Sequence, residues 1–287
     1  PQAERPARAS PSSRPAGGAA GSVLAGKADR VDVELEPAGL LLGRILVSQL
    51  RLVRPELTLA GGWQSLLDLP LHLPYMPATS AEVIGGQLRL QPAHGTPLSL
   101  NDLDLRLRPG QLADSRRIEA RAGLFGQSLA LELEVGPARP WRPVPVSAQL
   151  RFGPDGADGS LAFSGRVGAA RHISGEVQLD LHTSQAVQTL ARLAGGVPEL
   201  AVAAWRGALP ASLWLRFEHT PARFAIAEAR LTLGRNELHA SGELLRAAPW
   251  TVHLAVHIRR LHSADLPPIA ALERILAWLS DLPFAGS

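Results

Sequence analysis

The sequence is dominated by an alternation of apolar and polar residues with a period of two. One run places Leu129, Leu131 and Leu133 around the acidic residues Glu132 and Glu134. Successive side chains of a β-strand point to opposite faces of the sheet, so this period predicts strands with one buried face and one solvated face. The pattern recurs through the chain after its first segment and predicts about a dozen strands.

Turn-forming residues separate many of these runs. Gly85-Gly86, Pro154-Asp155-Gly156 and Gly234-Arg235-Asn236 are examples. Short turns of this kind join antiparallel strands, whereas parallel strands need long crossovers. The sequence therefore predicts a mainly β fold, a mostly antiparallel and meandering sheet with two or three short helices. The apolar face of such a sheet needs a cover, which can be a second sheet, the same sheet curled on itself, or lipid, and the alternation leaves these three open.

Three segments depart from the period of two. Residues 63–69 are compatible with a short helical turn. Residues 183–194 carry apolar residues at helical spacing, begin at Thr183 or Ser184 as an N-cap, and end before Gly195-Gly196. Residues 267–280 form a third amphipathic segment with prolines at its start. We expect this last helix to cap the sheet as a lid, with a membrane-surface or partner-binding helix as the alternative.

These features divide the chain into three parts. Residues 1–22 are rich in Pro, Ala, Ser and Gly, and this composition predicts a flexible linker. Residues 23–182 are expected to form the N-terminal half of the sheet. Residues 183–287 are expected to form a C-terminal core that contains the helices at 183–194 and 267–280.

The charge pattern argues against a nucleic-acid partner. The formal net charge is only +3, and Lys27 is the only lysine among 29 basic residues. With so many arginines, the sequence pI of about 10.4 reflects their high pKa and not a strongly basic surface. The arginines are spread singly through the strands instead of clustering with aromatic residues, as they usually do in nucleic-acid binders.

No arrangement of residues predicts catalysis, a cofactor or a metal site. The absence of cysteine excludes a disulfide framework, a zinc-thiolate site and a thiol nucleophile. His253 and His257 share a strand face but stand about 13 Å apart, too far to bind one metal ion. Asp155 and Asp158 lack the spacing of a calcium loop. No nucleophile elbow, phosphate-binding loop or dinucleotide fingerprint occurs, so we expect a protein that is not an enzyme.

The order of strands and turns resembles the AsmA family of bacterial envelope proteins. The stretch 227–268 contains Leu231-Thr232-Leu233-Gly234, then Ser241-Gly242, a turn at Pro249, and Ser263-Ala264-Asp265-Leu266 before the last helix. The segments 31–62 and 84–110 are similar to the front of that family. The resemblance covers roughly residues 23–282, although Gly62-Trp63-Gln64 stands where the family usually has Asn-Trp, and the N-terminal membrane anchor of the family is missing.

The resemblance implies an elongated sheet that curls into an open or taco-like groove, with residues 23–182 as the N-terminal half of the groove and residues 183–287 as an AsmA-like C-terminal core. It further implies a periplasmic protein that is attached to the inner membrane by an anchor upstream of Pro1, and whose groove shields the acyl chains of phospholipid or another amphiphile. Its role would be phospholipid transport or outer-membrane homeostasis. The alternative is a structural module of outer-membrane biogenesis or secretion that acts through an envelope protein partner. The residues expected to line the groove are Leu103, Leu105, Leu107, Leu129, Leu131, Leu133, Leu179, Leu181, Leu213 and Leu215.

Overall fold

The structure is a computed structural model that describes residues 24–38, 46–60, 80–91, 97–112, 114–137, 142–168, 172–193, 208–245 and 251–262. The expected linker at 1–22, the helical turn at 63–69 and the helix at 267–280 lie outside the described residues.

The described residues fold into one open sheet of fifteen strands. Their bounds are β1 Leu24–Lys27, β2 Arg30–Leu35, β3 Val47–Val53, β4 Glu56–Ala60, β5 Ser80–Gln91, β6 Leu98–Pro109, β7 Arg116–Leu124, β8 Gln127–Val135, β9 Val144–Phe152, β10 Gly159–Val167, β11 Ile173–Leu181, β12 Ala211–His219, β13 Arg223–Leu233, β14 Asn236–Leu245 and β15 Thr251–Arg260. From β5 to β15 each strand pairs antiparallel with the next strand in the chain. The predicted mainly β, mostly antiparallel fold is confirmed.

The first four strands form one long hairpin that is interrupted near its middle. β1 pairs with β4 and β2 pairs with β3, both antiparallel, while β3 and β4 lie end to end and pair parallel with β5. The interruption between β3 and β4 falls at Arg54-Pro55, where proline has no amide hydrogen to donate to a ladder. Two hydrogen bonds to β5 hold the backbone of these two residues instead. Arg54 N–H donates to Ile84 O at 2.8 Å, and Gln87 N–H donates to Pro55 O at 2.7 Å.

Gly85-Gly86 is a bulge inside β5, so the sequence-based assignment of a turn at this pair was wrong. Gly85 adopts a φ of 60°, and its amide donates a hydrogen bond to Asp104 Oδ1 at 2.9 Å. The Pro55 ring packs against Gly86, where a Cβ would stand 3.1 Å from Pro55 Cγ. The pair is glycine because the bulge needs a left-handed residue and the neighbouring proline needs space.

A second bulge lies in the neighbouring strand at Asp102, whose φ is 50°. The register of β6 against β7 shifts between Asn101 and Asp104. Without this extra residue, Leu98 and Leu100 would point away from Leu103, because the side-chain period of a strand is two. The bulge therefore keeps the apolar residues of both halves of β6 on one face.

The helix α1 (Ser184–Leu193) lies between β11 and β12 and confirms the helix predicted at 183–194. Thr183 is its N-cap, because the Thr183 hydroxyl accepts a hydrogen bond from Ala186 N–H at 3.2 Å. Ala186 and Val187 are buried and pack with Phe152 and Leu181. The apolar stripe of α1 thus covers one end of the sheet's apolar face.

Two apolar clusters form the core, at opposite ends of the strands. The first lies beneath α1 and centres on Phe152 and Leu124, both fully buried. The second contains Leu107, Ile118 and Val135 with their neighbours in β9 and β10. Burial is thus greatest at the two strand ends.

Gly165 occupies a position in β10 that has no room for a larger residue. A Cβ at Gly165 would stand 2.1 Å from Ser174 O and 2.8 Å from the Phe163 ring. We expect Gly165→Ala to lower the free energy of unfolding by about 1–3 kcal/mol, because backbone and ring must both shift. Urea titration measures this change.

Gly123 in β7 provides the matched control, because a Cβ there would meet only Asn101 O, at 3.7 Å. Gly123→Ala should leave stability unchanged within roughly 0.5 kcal/mol or raise it slightly. Equal losses in both variants would contradict the packing around Gly165.

Candidate functional site

One face of the sheet carries two uninterrupted rows of apolar side chains. Both rows cross β2, β3 and every strand from β5 to β15, and we call them together the apolar lane. The first row is Val31, Leu52, Val83, Leu105, Ala120, Leu131, Leu150, Leu161, Leu179, Leu213, Leu231, Leu238 and Ile258. The second row is Val33, Leu50, Ala81, Leu107, Ile118, Leu133, Ala148, Phe163, Val177, Leu215, Ala229, Ala240 and Val256.

The lane is only partly covered. In the first row Leu131, Leu150, Leu161, Leu179 and Leu213 are all half-buried. A sandwich core would bury such central residues under a second sheet, but all fifteen described strands belong to a single sheet. The middle of the lane therefore keeps accessible apolar surface.

The ten residues predicted to line a groove all lie on the face of the lane. Six of them are half-buried and present surface: Leu105, Leu131, Leu133, Leu179, Leu213 and Leu215. The other four, Leu103, Leu107, Leu129 and Leu181, are buried. The buried four contribute to packing, and the half-buried six are the ones that a ligand could contact.

At both sheet edges the structure differs from the sequence-based expectation of a buried face. Val31 and Val33 in β2 are 54% and 53% exposed, and Leu254 and Ile258 in β15 are 57% and 54% exposed. These residues have the predicted alternation and lie on the apolar face. They are exposed because each edge strand has a described neighbour on one side only.

The opposite face carries a ladder of charges. Its ion pairs run from strand to strand: Arg51–Glu82 at 3.4 Å, Arg106–Glu82 at 3.2 Å, Arg117–Glu132 at 3.3 Å, Arg151–Glu132 at 3.3 Å and Arg216–Glu176 at 2.8 Å. Partly exposed pairs of this kind contribute little stability each. These ion pairs make this face polar, so the sheet has one polar face and one apolar face.

Two features modify the polar face near β13 and β14. The Trp214 ring lies between the guanidinium groups of Arg216 and Arg230, each 5.3 Å from the ring centroid.

The pKa of Glu237 is lowered, chiefly by a hydrogen bond from His239 at 3.1 Å. Desolvation opposes this shift, and the charge of Arg259 adds to it. Glu237 is therefore a fixed negative charge at neutral pH.

An aromatic patch lies on the apolar face, toward the strand ends opposite those that α1 covers. The rings of Phe163 and Phe217 are 6.4 Å apart, and those of Phe217 and Phe224 are 5.6 Å apart. Phe163 lies over Gly165 and Gly175, which face each other across β10 and β11. Sequence reasoning missed this patch. The signal was present as two glycines on the apolar face, where an aromatic ring from the next position can cover the bare backbone.

A buried polar network attaches α1 to the sheet. Gln127 Nε2 donates to Asp158 Oδ2 at 2.9 Å, and the Thr189 hydroxyl donates to Gln127 Oε1. Gln127 and Thr189 are both buried. Asp158, in the hairpin tip between β9 and β10, thus takes part in fixing the helix.

Gln127→Ala should destabilise the protein by about 1–3 kcal/mol, because it leaves the buried Thr189 hydroxyl and the Asp158 carboxylate without their partner. Urea unfolding measures the loss. Gln185→Ala is the control, since Gln185 is exposed on the same helix. If both variants lost the same stability, the network would not hold the helix in place.

The described residues show no group of three or more potential metal ligands. His253 stands opposite Glu243, and His257 stands opposite His239, so both histidines belong to the polar face. A shallow depression of about 1040 Å³ on that face includes Glu176, Arg216, Arg223 and Glu243. Both of its arginines form ion pairs at 2.8 Å with the two glutamates.

Within the described ranges, no helix is both long and apolar enough to cross a membrane.

Comparisons with protein-family models, with curated proteins and with solved structures find no match for this chain.

Proposed function

We propose that this protein is a non-enzymatic lipid-handling protein of the bacterial envelope, which shields the acyl chains of phospholipid or a similar amphiphile on its apolar lane. The observation that carries the proposal is the continuity of the lane. Two adjacent rows cross the sheet with no polar residue in either.

The dimensions of the lane suit a path and not a single pocket. Neighbouring strands are about 4.8 Å apart, so the rows extend roughly 60 Å across the sheet. This is about twice the thickness of the hydrocarbon core of a bilayer. Acyl chains can therefore find the same apolar surroundings at every step, which avoids a deep energy well along the path.

The mechanism is passive. Exposed apolar surface is unfavourable in water at about 25 cal/mol per Å², for the lane and for an acyl chain alike. Contact between them removes both surfaces from water while a headgroup stays solvated. Since the gain depends on area and not on directed bonds, the lipid can slide along the rows without an energy source in this part of the chain.

The resemblance to the AsmA family supports the cellular setting. On that resemblance we propose that the chain works in the periplasm, that an anchor attaches the full-length protein to the inner membrane, and that it serves phospholipid transport or outer-membrane homeostasis.

A second candidate function is a structural or assembly module for outer-membrane biogenesis or secretion. The exposed edge strand β15 favours it, because an open strand with exposed Val252, Leu254, Val256 and Ile258 can accept a strand from a protein partner. This function predicts that the apolar lane carries no bound lipid and that the chain forms a stable complex with a protein partner.

Mass spectrometry of the purified chain distinguishes the two. We would extract protein purified under mild conditions with organic solvent, and compare its phospholipid content with that of a β-sandwich protein prepared identically. Phospholipid in near-stoichiometric amount, together with uptake of labelled lipid from liposomes, is the expected result. A lipid-free extract from folded protein that takes up no labelled lipid would reject the lipid-handling function.

A further inference from the structure

The sheet has two open edges, and these edges match each other. Among the described residues β15 pairs only with β14, and β2 pairs only with β3. Within the described ranges, the outer side of each edge strand therefore presents backbone amides and carbonyls that pair with no other strand. Such edges are templates for further strand pairing unless charge, proline or a covering segment blocks them.

The apolar lane ends at both edges in exposed side chains. Val31 and Val33 end its two rows in β2, and Ile258 and Val256 end the same rows in β15. All four are between 48% and 54% exposed. The central residues of the first row are less exposed than these edge residues. Each edge thus lacks the neighbour that partly covers every internal strand.

The polar faces of the two edges carry opposite charge. In β2 the acidic residues Asp32 and Glu34 outnumber Arg30, which itself pairs with Asp32 at 2.8 Å. The polar side of β15 carries His257 and Arg259, and the Arg259 guanidinium lies on that side because it reaches Glu237 at 3.8 Å. Like charges on the two edges would repel each other where β2 and β15 meet. The acidic residues of β2 and the basic residues of β15 do not repel each other in this way.

The strand directions also fit. Every step from β5 to β15 is antiparallel, so β15 runs in the same direction as β5. Because β3 is parallel to β5 and β2 is antiparallel to β3, β2 runs opposite to β15. A second copy in the same orientation would therefore add its β2 to β15 as one more antiparallel strand.

We propose that copies of this chain associate head to tail, with β15 of one copy pairing antiparallel with β2 of the next. If Ile258 stands opposite Val33, then His257 faces Glu34 and Arg259 lies on the side of Asp32. In this register Ile258 of the first row meets Val33 of the second row, and Val256 meets Leu35. The apolar face of one copy therefore continues into that of the next with the rows offset by one, and Val31 lies opposite Arg260. This inference rests on the sheet edges and does not require that the lane bind lipid.

The contact is heterologous, since two different edges meet, so it builds an open chain of copies or, where the rotation between copies closes, a ring. Each copy added to an open chain leaves one free β2 and one free β15. Sedimentation velocity of the full chain over a dilution series should show species that grow with concentration. Wild-type protein that stays monomeric throughout would overturn the proposal.

Two variants that each block one edge give the decisive test. Ile258→Lys blocks β15 and leaves β2 intact, while Val33→Lys blocks β2 and leaves β15 intact. Burying a lysine in the joint should raise the dissociation constant of each variant by at least about tenfold. An equal mixture should form complexes of two chains and no larger, because one working joint remains.

The head-to-tail arrangement would be overturned if either variant alone formed species larger than the monomer, or if the mixture failed to form two-chain complexes. Ala162→Lys, on the polar face far from both edges, should associate as wild type does. Circular dichroism checks folding. If Ile258→Lys does not fold, Arg259→Glu tests the same edge by setting like charges opposite Asp32.

Discussion

Replacing Leu131 and Leu161 together with aspartate should remove most of the lipid that copurifies with the chain. The two residues flank Leu150 in the first row of the apolar lane and are half-buried. An acyl chain that crosses them would have to desolvate two carboxylates, at a cost of several kcal/mol. We expect lipid per protein, measured by mass spectrometry of the extract, to fall by about tenfold or more.

The neighbouring residues on the same strands provide the control. Ala130 and Ala162 point to the polar face, where Ala130 stands opposite Arg151 and Arg121. Changing both to aspartate adds the same charge without touching the lane, so lipid content should stay at the wild-type level. If Leu131→Asp with Leu161→Asp prevents folding, glutamine at both positions provides a milder pair. Unchanged lipid in a folded lane variant would contradict the lane as the binding surface.

Phe152→Ala should cause a larger loss of stability than either Gly165→Ala or Gln127→Ala. Phe152 is fully buried and contacts the cluster beneath α1 that includes Leu124 and Leu181. Its removal leaves a cavity between the helix and the sheet, and we expect the free energy of unfolding to fall by about 3–5 kcal/mol. Equilibrium unfolding in urea measures the change.

Leu112→Ala is the matched truncation, because Leu112 is 62% exposed in the turn after β6. Its effect should stay within roughly 0.5 kcal/mol. A Phe152→Ala variant about as stable as Leu112→Ala would show that α1 does not close a packed core.

Elements whose signals are local could be predicted from the sequence. Alternation in Leu129, Leu131 and Leu133 predicts a strand because the period of a strand is two. The turn at Gly234-Arg235 joins β13 to β14 as expected, with Gly234 at a φ of 57°. The cap at Thr183 sets the start of α1. Each signal depends on residues close together in the chain.

Features that depend on neighbouring strands could not be predicted in this way. Gly85-Gly86 resembles a turn in sequence, but in the sheet it forms a bulge that Pro55, between β3 and β4, and Asp104 in β6 contact. The exposure of Val31 and Ile258 depends on which strands occupy the edges. The parallel pairing of β3 and β4 with β5 has no local signal, because its partner residues, such as Leu50 and Ala81, are far apart in the sequence.

The order of pairing from β5 to β15 has a consequence for how the protein folds. Each strand pairs with its sequence neighbours, which are only a few residues away along the chain except between β11 and β12, where the segment with α1 intervenes. Its contacts are therefore local, and the loss of loop entropy at each step is small. Folding can start at any of these hairpins and spread outward, as in repeat proteins. Stability is then shared between adjacent strands, so the outermost strands can separate while the central hairpins remain intact.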